Sequence, residues 1–177
     1  MKTFCAKDSA DWRKWLEKNH LKEDKVVLIK YKKHTGKQII HNMDSMKQAI
    51  CFGWIDTTIQ RIDKDRYSQK FVKRNKNSKW SMNTLSYGKE LLKKGLMSPF
   101  GIKMYKEGLR KKPHDEGIPK NPEMPREMKV LLEKYKILKK FRELSHSAKK
   151  MYYRGFLRTK MPETKTKFIK KLISAIK

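Results

Sequence analysis

The chain is poor in the features that staple a fold, anchor it in a membrane or hold a metal. Its 177 residues include only two cysteines, Cys5 and Cys51, and these lack the C-x-x-C spacing of a redox or zinc motif. The five histidines, His20, His34, His41, His114 and His146, form no H-x-x-x-H or H-E-x-x-H pair. The expectation is no metal and no cofactor. A Cys5–Cys51 disulfide stays open, but two lone thiols suit a reducing compartment better. No apolar run nears the ~20 residues that span a bilayer. Residues 1–8 lack the apolar core of a signal peptide, so the reading is a soluble cytoplasmic chain without a transmembrane segment. With only eight Gly and six Pro, collagen-like and Gly/Pro-rich low-complexity designs are excluded.

Acidic residues are also scarce, at 18 against 46 Lys and Arg, which leaves a net charge of +28. Such a chain attracts polyanions. The cations are 37 Lys and 9 Arg. Lysine is a solvated point charge and arginine the bidentate reader, so a generally basic surface explains the excess as well as a reading face does. The excess is spread, with +5 in residues 1–56, +12 in 57–112, −2 in 113–123 and +13 in 124–177. Four Trp, seven Tyr and seven Phe supply enough bulk for a real core.

Patterning along the chain predicts an α+β fold: a mixed N-terminal region with a small sheet and helices, then a helical C-terminal region of about three helices. Asp8 or Ser9 caps a helix over 9–20, with Trp12, Trp15 and Leu16 on one face. Residues 26–31 are short and β-branched, a strand, with 38–40 as its partner across a turn at Gly36. Asp44 caps a helix over 45–53, and Trp54 then leads into extended chain. Residues 57–63 and 65–72 read as further strands. Helices follow near 84–94, ended by Gly95, and from Pro99. Four prolines between 112 and 125 mark a linker, giving regions 1–111, 112–125 and 126–177. Beyond the linker, Met128, Leu131, Leu132, Tyr135, Leu138 and Phe141 form one stripe. Ala148, Met151, Tyr152, Gly155 and Phe156 form a second, and a third helix starts at Pro162.

Candidate functional residues concentrate where polar and aromatic side chains are densest. Trp54 and Trp80 could wall a pocket, with Arg61, Arg74 and Lys32 as cationic donors. Asp56, Ser78 and Asn83 would orient a polar or anionic ligand, and Tyr31, Lys33 and Ser81 complete the set. The opposing reading puts both tryptophans in the core and Asp56 in a loop contact. Asp56 is also a weak candidate general base, but no triad, metal or cofactor motif accompanies it. The pairs Lys139-Lys140, Lys149-Lys150 and Lys170-Lys171 could face nucleic acid, or simply be a solvated helix surface.

Residues 49–56, Ala-Ile-Cys-Phe-Gly-Trp-Ile-Asp, resemble the hallmark of the YdeI/OmpD-associated, bacteriocin-protection family. The order of other pieces is similar too: Tyr31-Lys32-Lys33 with Thr35-Gly36, then Ser78-Lys79-Trp80-Ser81-Met82-Asn83, then Gly95-Leu96-Met97 with Gly101. Phe141, Leu144, Ser145, Tyr152 and Glu163-Thr164-Lys165 resemble its helical C-terminal module. Thr57 stands where the family often has Gly, Lys73-Arg74 where it has Pro-Arg, and Lys165 where it has Arg. The resemblance implies an α+β region followed by helices and no settled activity; the reading adopted is a binding or stress-protection role without catalysis, with nucleic-acid binding through the basic surface and a small-molecule enzyme using Asp56 as the alternatives. The porin partner that the family's name suggests is not carried over, and a +28 chain does not sequester cationic peptides by charge.

Overall fold

The computed structural model describes residues 2–37 and 40–176. It divides into two compact units, Met1–Pro113 and His114–Lys177. The fold is α+β, with all strands in the first unit and only helices in the second.

In the first unit the strands are β1 (Thr3–Phe4), β2 (Lys25–Tyr31), β3 (Trp54–Arg61) and β4 (Arg66–Lys73), in the order β1-β2-β4-β3. β1 runs parallel to β2, and the other two pairings are antiparallel. Alternation along β2 buries Val26, Leu28 and Lys30, and along β4 it buries Gln69 and Phe71. One face of the sheet therefore belongs to the core. β4 is the centre of the sheet, paired with β2 over its whole length and with β3 on its other side. A bulge between Asp56 and Thr58 breaks the β3 register. Beyond it Ile59, opposite Gln69, is 53% exposed.

Four helices complete this unit: α1 (Ser9–Asn19), α2 (Asn42–Cys51), α3 (Met82–Lys93) and α4 (Pro99–Leu109). Asp8 caps α1 by accepting from the Asp11 amide at 2.8 Å. Trp12 and Leu16 are fully buried, and the Trp12 ring meets Phe71 at 5.1 Å between centroids. α2 starts at Asn42, three residues before the helix expected from an Asp44 cap, and His41 precedes it without a side-chain cap bond. The strand after α2 begins at Trp54, because Gly53 at φ 70° turns the chain directly from helix to sheet. Of the partner strand expected over 38–40, Gln38 and Ile39 lie outside the described residues. Lys33–Thr35 form a single 3-10 turn.

The C-terminal end of α2 and the N-terminal end of α4 touch. The Ser98 amide donates to the Cys51 carbonyl at 2.9 Å. A Cβ on Gly101 would collide with that same carbonyl oxygen. Cys51 is fully buried here, and burial pushes its thiol pKa up. It is an inert core residue.

The second unit holds α5 (Arg126–Lys134), α6 (Leu138–Arg142), α7 (His146–Arg158) and α8 (Pro162–Ile176). The stripe that predicts one helix from Met128 to Phe141 is split in two, because Lys136 at φ 56° ends α5 in a left-handed turn. Four helices therefore stand here among the described residues, not three. Met128, Leu132, Phe141, Phe156, Ile169 and Leu172 form their shared core. Residues 114–125 belong to this unit. Buried Asp115 accepts from Arg154 Nη2 at 3.2 Å, and Arg154 Nη1 donates to the Pro119 carbonyl. The proline-rich stretch is thus held to α7. No described helix is long and apolar enough to cross a membrane.

Because the group facing Gly101 is backbone and cannot swing aside, Gly101→Ala is expected to lower unfolding stability by about 3 kcal/mol. Urea denaturation followed by tryptophan fluorescence measures it, and a loss under about 0.5 kcal/mol would show that α4 can move off α2.

Candidate functional site

The segments expected to converge on one pocket lie at opposite ends of the sheet. At one end, the Lys32 amide donates to the Asp65 carbonyl, and Lys32 Nζ donates to the Asp63 and Lys64 carbonyls at 2.9 and 2.8 Å. Arg61 Nε donates to the Asp63 carbonyl at 3.2 Å. Lys32 and Arg61 therefore brace the β3–β4 turn. Beside them, Lys37 lies over the Tyr31 ring at 4.2 Å, and Lys33 is exposed. At the other end, Trp54 pairs with Lys73, and the Arg74 amide donates to the Gly53 carbonyl. With eight-residue strands between them, the two ends are ~23 Å apart.

The tryptophans are core. Trp54 is fully buried and its Nε1 donates to the His20 carbonyl at 3.2 Å. Trp80 is 3% exposed and meets Tyr105 edge-on. Both rings are packed into the core. Indoles are large apolar bodies with one donor, and here the fold buries the body. Ser81 caps α3 by accepting from the Thr84 amide at 3.1 Å, and Ser78 Oγ accepts from the Asn75 amide at 3.0 Å. Both hydroxyls organise the chain locally. Asn83 is exposed on the first turn of α3.

What the fold brings together is a different set, on the core face of the sheet beneath the N-terminal turn of α2. Lys30, only 2% exposed, donates from Nζ to Ser45 Oγ at 2.6 Å and to Asn42 Oδ1 at 3.0 Å. Ser45 Oγ lies 3.1 Å from Gln69 Oε1, and Gln69 Nε2 donates to Asp56 Oδ2 at 3.2 Å. Tyr67 donates its hydroxyl to Asn42 Oδ1 at 3.1 Å. The Trp12 indole donates to the Ser45 carbonyl at 3.0 Å, which fixes α2 over the sheet. A relay of neutral groups thus runs from a buried ammonium to a half-buried carboxylate.

A second buried cation answers to the same carboxylate. Arg74 is 2% exposed, with Nη1 donating to the Lys79 carbonyl at 3.0 Å and the guanidinium carbon 3.7 Å from the Trp80 ring centroid. Burial lowers the Lys30 pKa to about 8, with Asp56 and Asp44 opposing the shift, and lowers that of Arg74 to about 10, with Asp56 opposing it. Among the described residues no carboxylate lies at ion-pair distance from either cation. Asp56 therefore serves as the shared counter-charge of two cations. Its Oδ2 is held by the Gln69 side-chain amide.

Sequence reading named Asp56 and Arg74 but missed Lys30, Asn42, Ser45, Tyr67 and Gln69. The signal was alternation: Val26 and Leu28 face inward, so Lys30 must too, and Phe71 carries Gln69 and Tyr67 with it. The lysine pairs lie on three helices of the second unit. Lys139 and Lys140 of α6 and Lys170 and Lys171 of α8 are exposed, whereas Lys149 and Lys150 of α7 are half-buried. Lys149 Nζ donates to the Arg142 carbonyl, and Lys150 donates to Asn121 Oδ1. With His146 and Tyr153 they border a depression of ≈ 380 Å³. No cluster of three or more His, Cys, Asp or Glu able to hold a metal occurs among the described residues.

The lowered Lys30 pKa has a measurable consequence. Folded Lys30 loses its proton near pH 8, whereas unfolded it does so near 10.5. Between these values the unfolded chain binds more protons, so stability rises with pH. Relative to Lys30→Met, the wild-type unfolding free energy should climb by up to about 3 kcal/mol across that window. Denaturation curves for both proteins at several pH values measure the difference, and a flat difference would place Lys30 in solvent.

Residues 4–104 match the family model of a domain of unknown function (DUF8412). The matched residues include Lys30, Asn42, Ser45, Asp56, Tyr67, Gln69 and Arg74, and all lie within the first unit. No curated protein and no solved structure matches the chain.

Proposed function

The chain belongs to the DUF8412 family, and we propose that its first unit is a small-ligand-binding domain, without catalysis, whose ligand carries an anionic group. The observation that carries this reading is the charge imbalance around Asp56. Lys30 and Arg74 are both 2% exposed, and one half-buried carboxylate serves them both. An unpaired charge in a core is costly, and a ligand anion offsets it. The neutral donors and acceptors on Asn42, Ser45, Tyr67 and Gln69 then orient the rest of the molecule. The ordered motifs that resemble the YdeI/OmpD-associated family support a binding or protection role.

The test is thermal and urea denaturation of the full chain against a panel of small anions at constant ionic strength. A specific ligand stabilises saturably, by about 2.7 kcal/mol at a hundred times its dissociation constant. Asp56→Asn should cost about 3 kcal/mol, because it leaves two buried cations uncompensated. It should also depend more steeply on added anion than wild type. If no anion gives a saturable shift and Asp56→Asn is neutral, the domain is not an anion-binding module.

A further inference from the structure

The way Arg74 is held points to the chemical class of the ligand, an inference that rests on the anion-binding reading above. A guanidinium offers two parallel N–H bonds along the edge formed by Nε and Nη2, the geometry that grips two oxygens of one planar acid group. In Arg74 only Nη1 is used, by the Lys79 carbonyl. The Nε and Nη2 atoms are buried and have no hydrogen-bond partner among the described residues. Nearly every buried polar group in a folded protein is paired, so two orphans on one charged edge need an explanation.

We propose that this edge is a carboxylate fork: the ligand of the domain is a small monocarboxylate, held by both oxygens on Arg74 Nε and Nη2. Two features favour a carboxylate over a phosphate. First, the Trp80 ring lies against one face of the guanidinium, at 3.7 Å from its carbon. A planar carboxylate can share the guanidinium plane, whereas a tetrahedral phosphate sends oxygens out of that plane toward the indole. Second, among the buried and half-buried groups Lys30 and Arg74 against Asp56 leave one positive charge, the other carboxylate felt by Lys30, Asp44, being exposed to solvent. A monoanion neutralises it, while a dianion reverses the excess in a buried setting.

Arg74 leads directly into the segment 75–79. Asn75, Lys76, Asn77 and Lys79 are exposed, and this short loop supplies the carbonyl that holds Nη1. It is tethered by Lys111 Nζ, which donates to the carbonyls of Lys76 and Ser78.

The experiment is an NMR titration of the full-length protein, following the Arg74 Nε–H resonance, with acetate, lactate, benzoate, phosphate and sulfate at constant ionic strength. Calorimetry on wild type, Arg74→Lys and Lys30→Met runs beside it. The expected result is a saturable shift of the Arg74 Nε–H signal with at least one monocarboxylate and none with phosphate or sulfate. Arg74→Lys, which keeps the charge and loses the fork, should bind at least ten-fold more weakly. The NMR readout stands on wild type alone should that variant fail to fold. Saturable anion binding that leaves the Arg74 Nε–H signal unmoved, or that prefers phosphate, overturns the fork while anion binding itself survives. Non-saturable shifts of equal size with every salt overturn both.

Discussion

The hydrogen-bond relay from Lys30 through Ser45 and Gln69 to Asp56 ties together four elements of the first unit. Lys30 is on β2, Ser45 on α2, Gln69 on the central strand β4 and Asp56 on β3. An ammonium can be removed from water only if its protons find acceptors, and the charge still raises the energy of the core. That requirement fixes where α2 sits, because Ser45 must present its hydroxyl to the sheet while its carbonyl takes the Trp12 indole proton. It also fixes the register of β4 against β2, since a one-residue slip would turn Gln69 and Phe71 outward together.

Apolar packing surrounds the relay and isolates it. Trp12, Leu16, Ile50, Trp54 and Phe71 fill the neighbouring layer with essentially no exposure. The same face of the sheet therefore grades from an apolar end near Val26 and Phe71 to a polar end near Lys30 and Tyr67. It opens to solvent at Ile59, past the bulge. In a low-dielectric setting each charge is felt over a longer range than at the surface. Asp56 can therefore act on both Lys30 and Arg74 without touching either. This is how a chain with 46 basic residues comes to keep Lys30 and Arg74 inside. The exposed ion pairs, such as Lys94–Glu90 or Arg66–Asp63, contribute little beyond local order.

Much of the architecture was legible in residue order. The α+β class, the strand over 26–31, the first helix, the helix from Pro99 and the helical second unit follow from periodicity and turn chemistry. These signals are local, acting over three to eight residues. The break at Lys136 escaped because the apolar stripe runs on across it, and a lysine does not announce a left-handed turn as glycine does.

The site divides along the same line. Composition and alternation alone settled that the chain is strongly basic and that its polar and aromatic residues cluster between 54 and 83. That Lys30 and Gln69 occupy inward positions of their strands came only with the fold. Which of those residues meet was a tertiary matter. The antiparallel β3–β4 pair separates Lys32 and Arg61 from Arg74 and Trp80 by the length of one strand, although a linear reading places them side by side. The same fold draws Lys30, Ser45, Gln69 and Asp56 together from four elements. Strand pairing joins residues by register and not by sequence distance, so no local pattern contains the information that one carboxylate would stand between two buried cations.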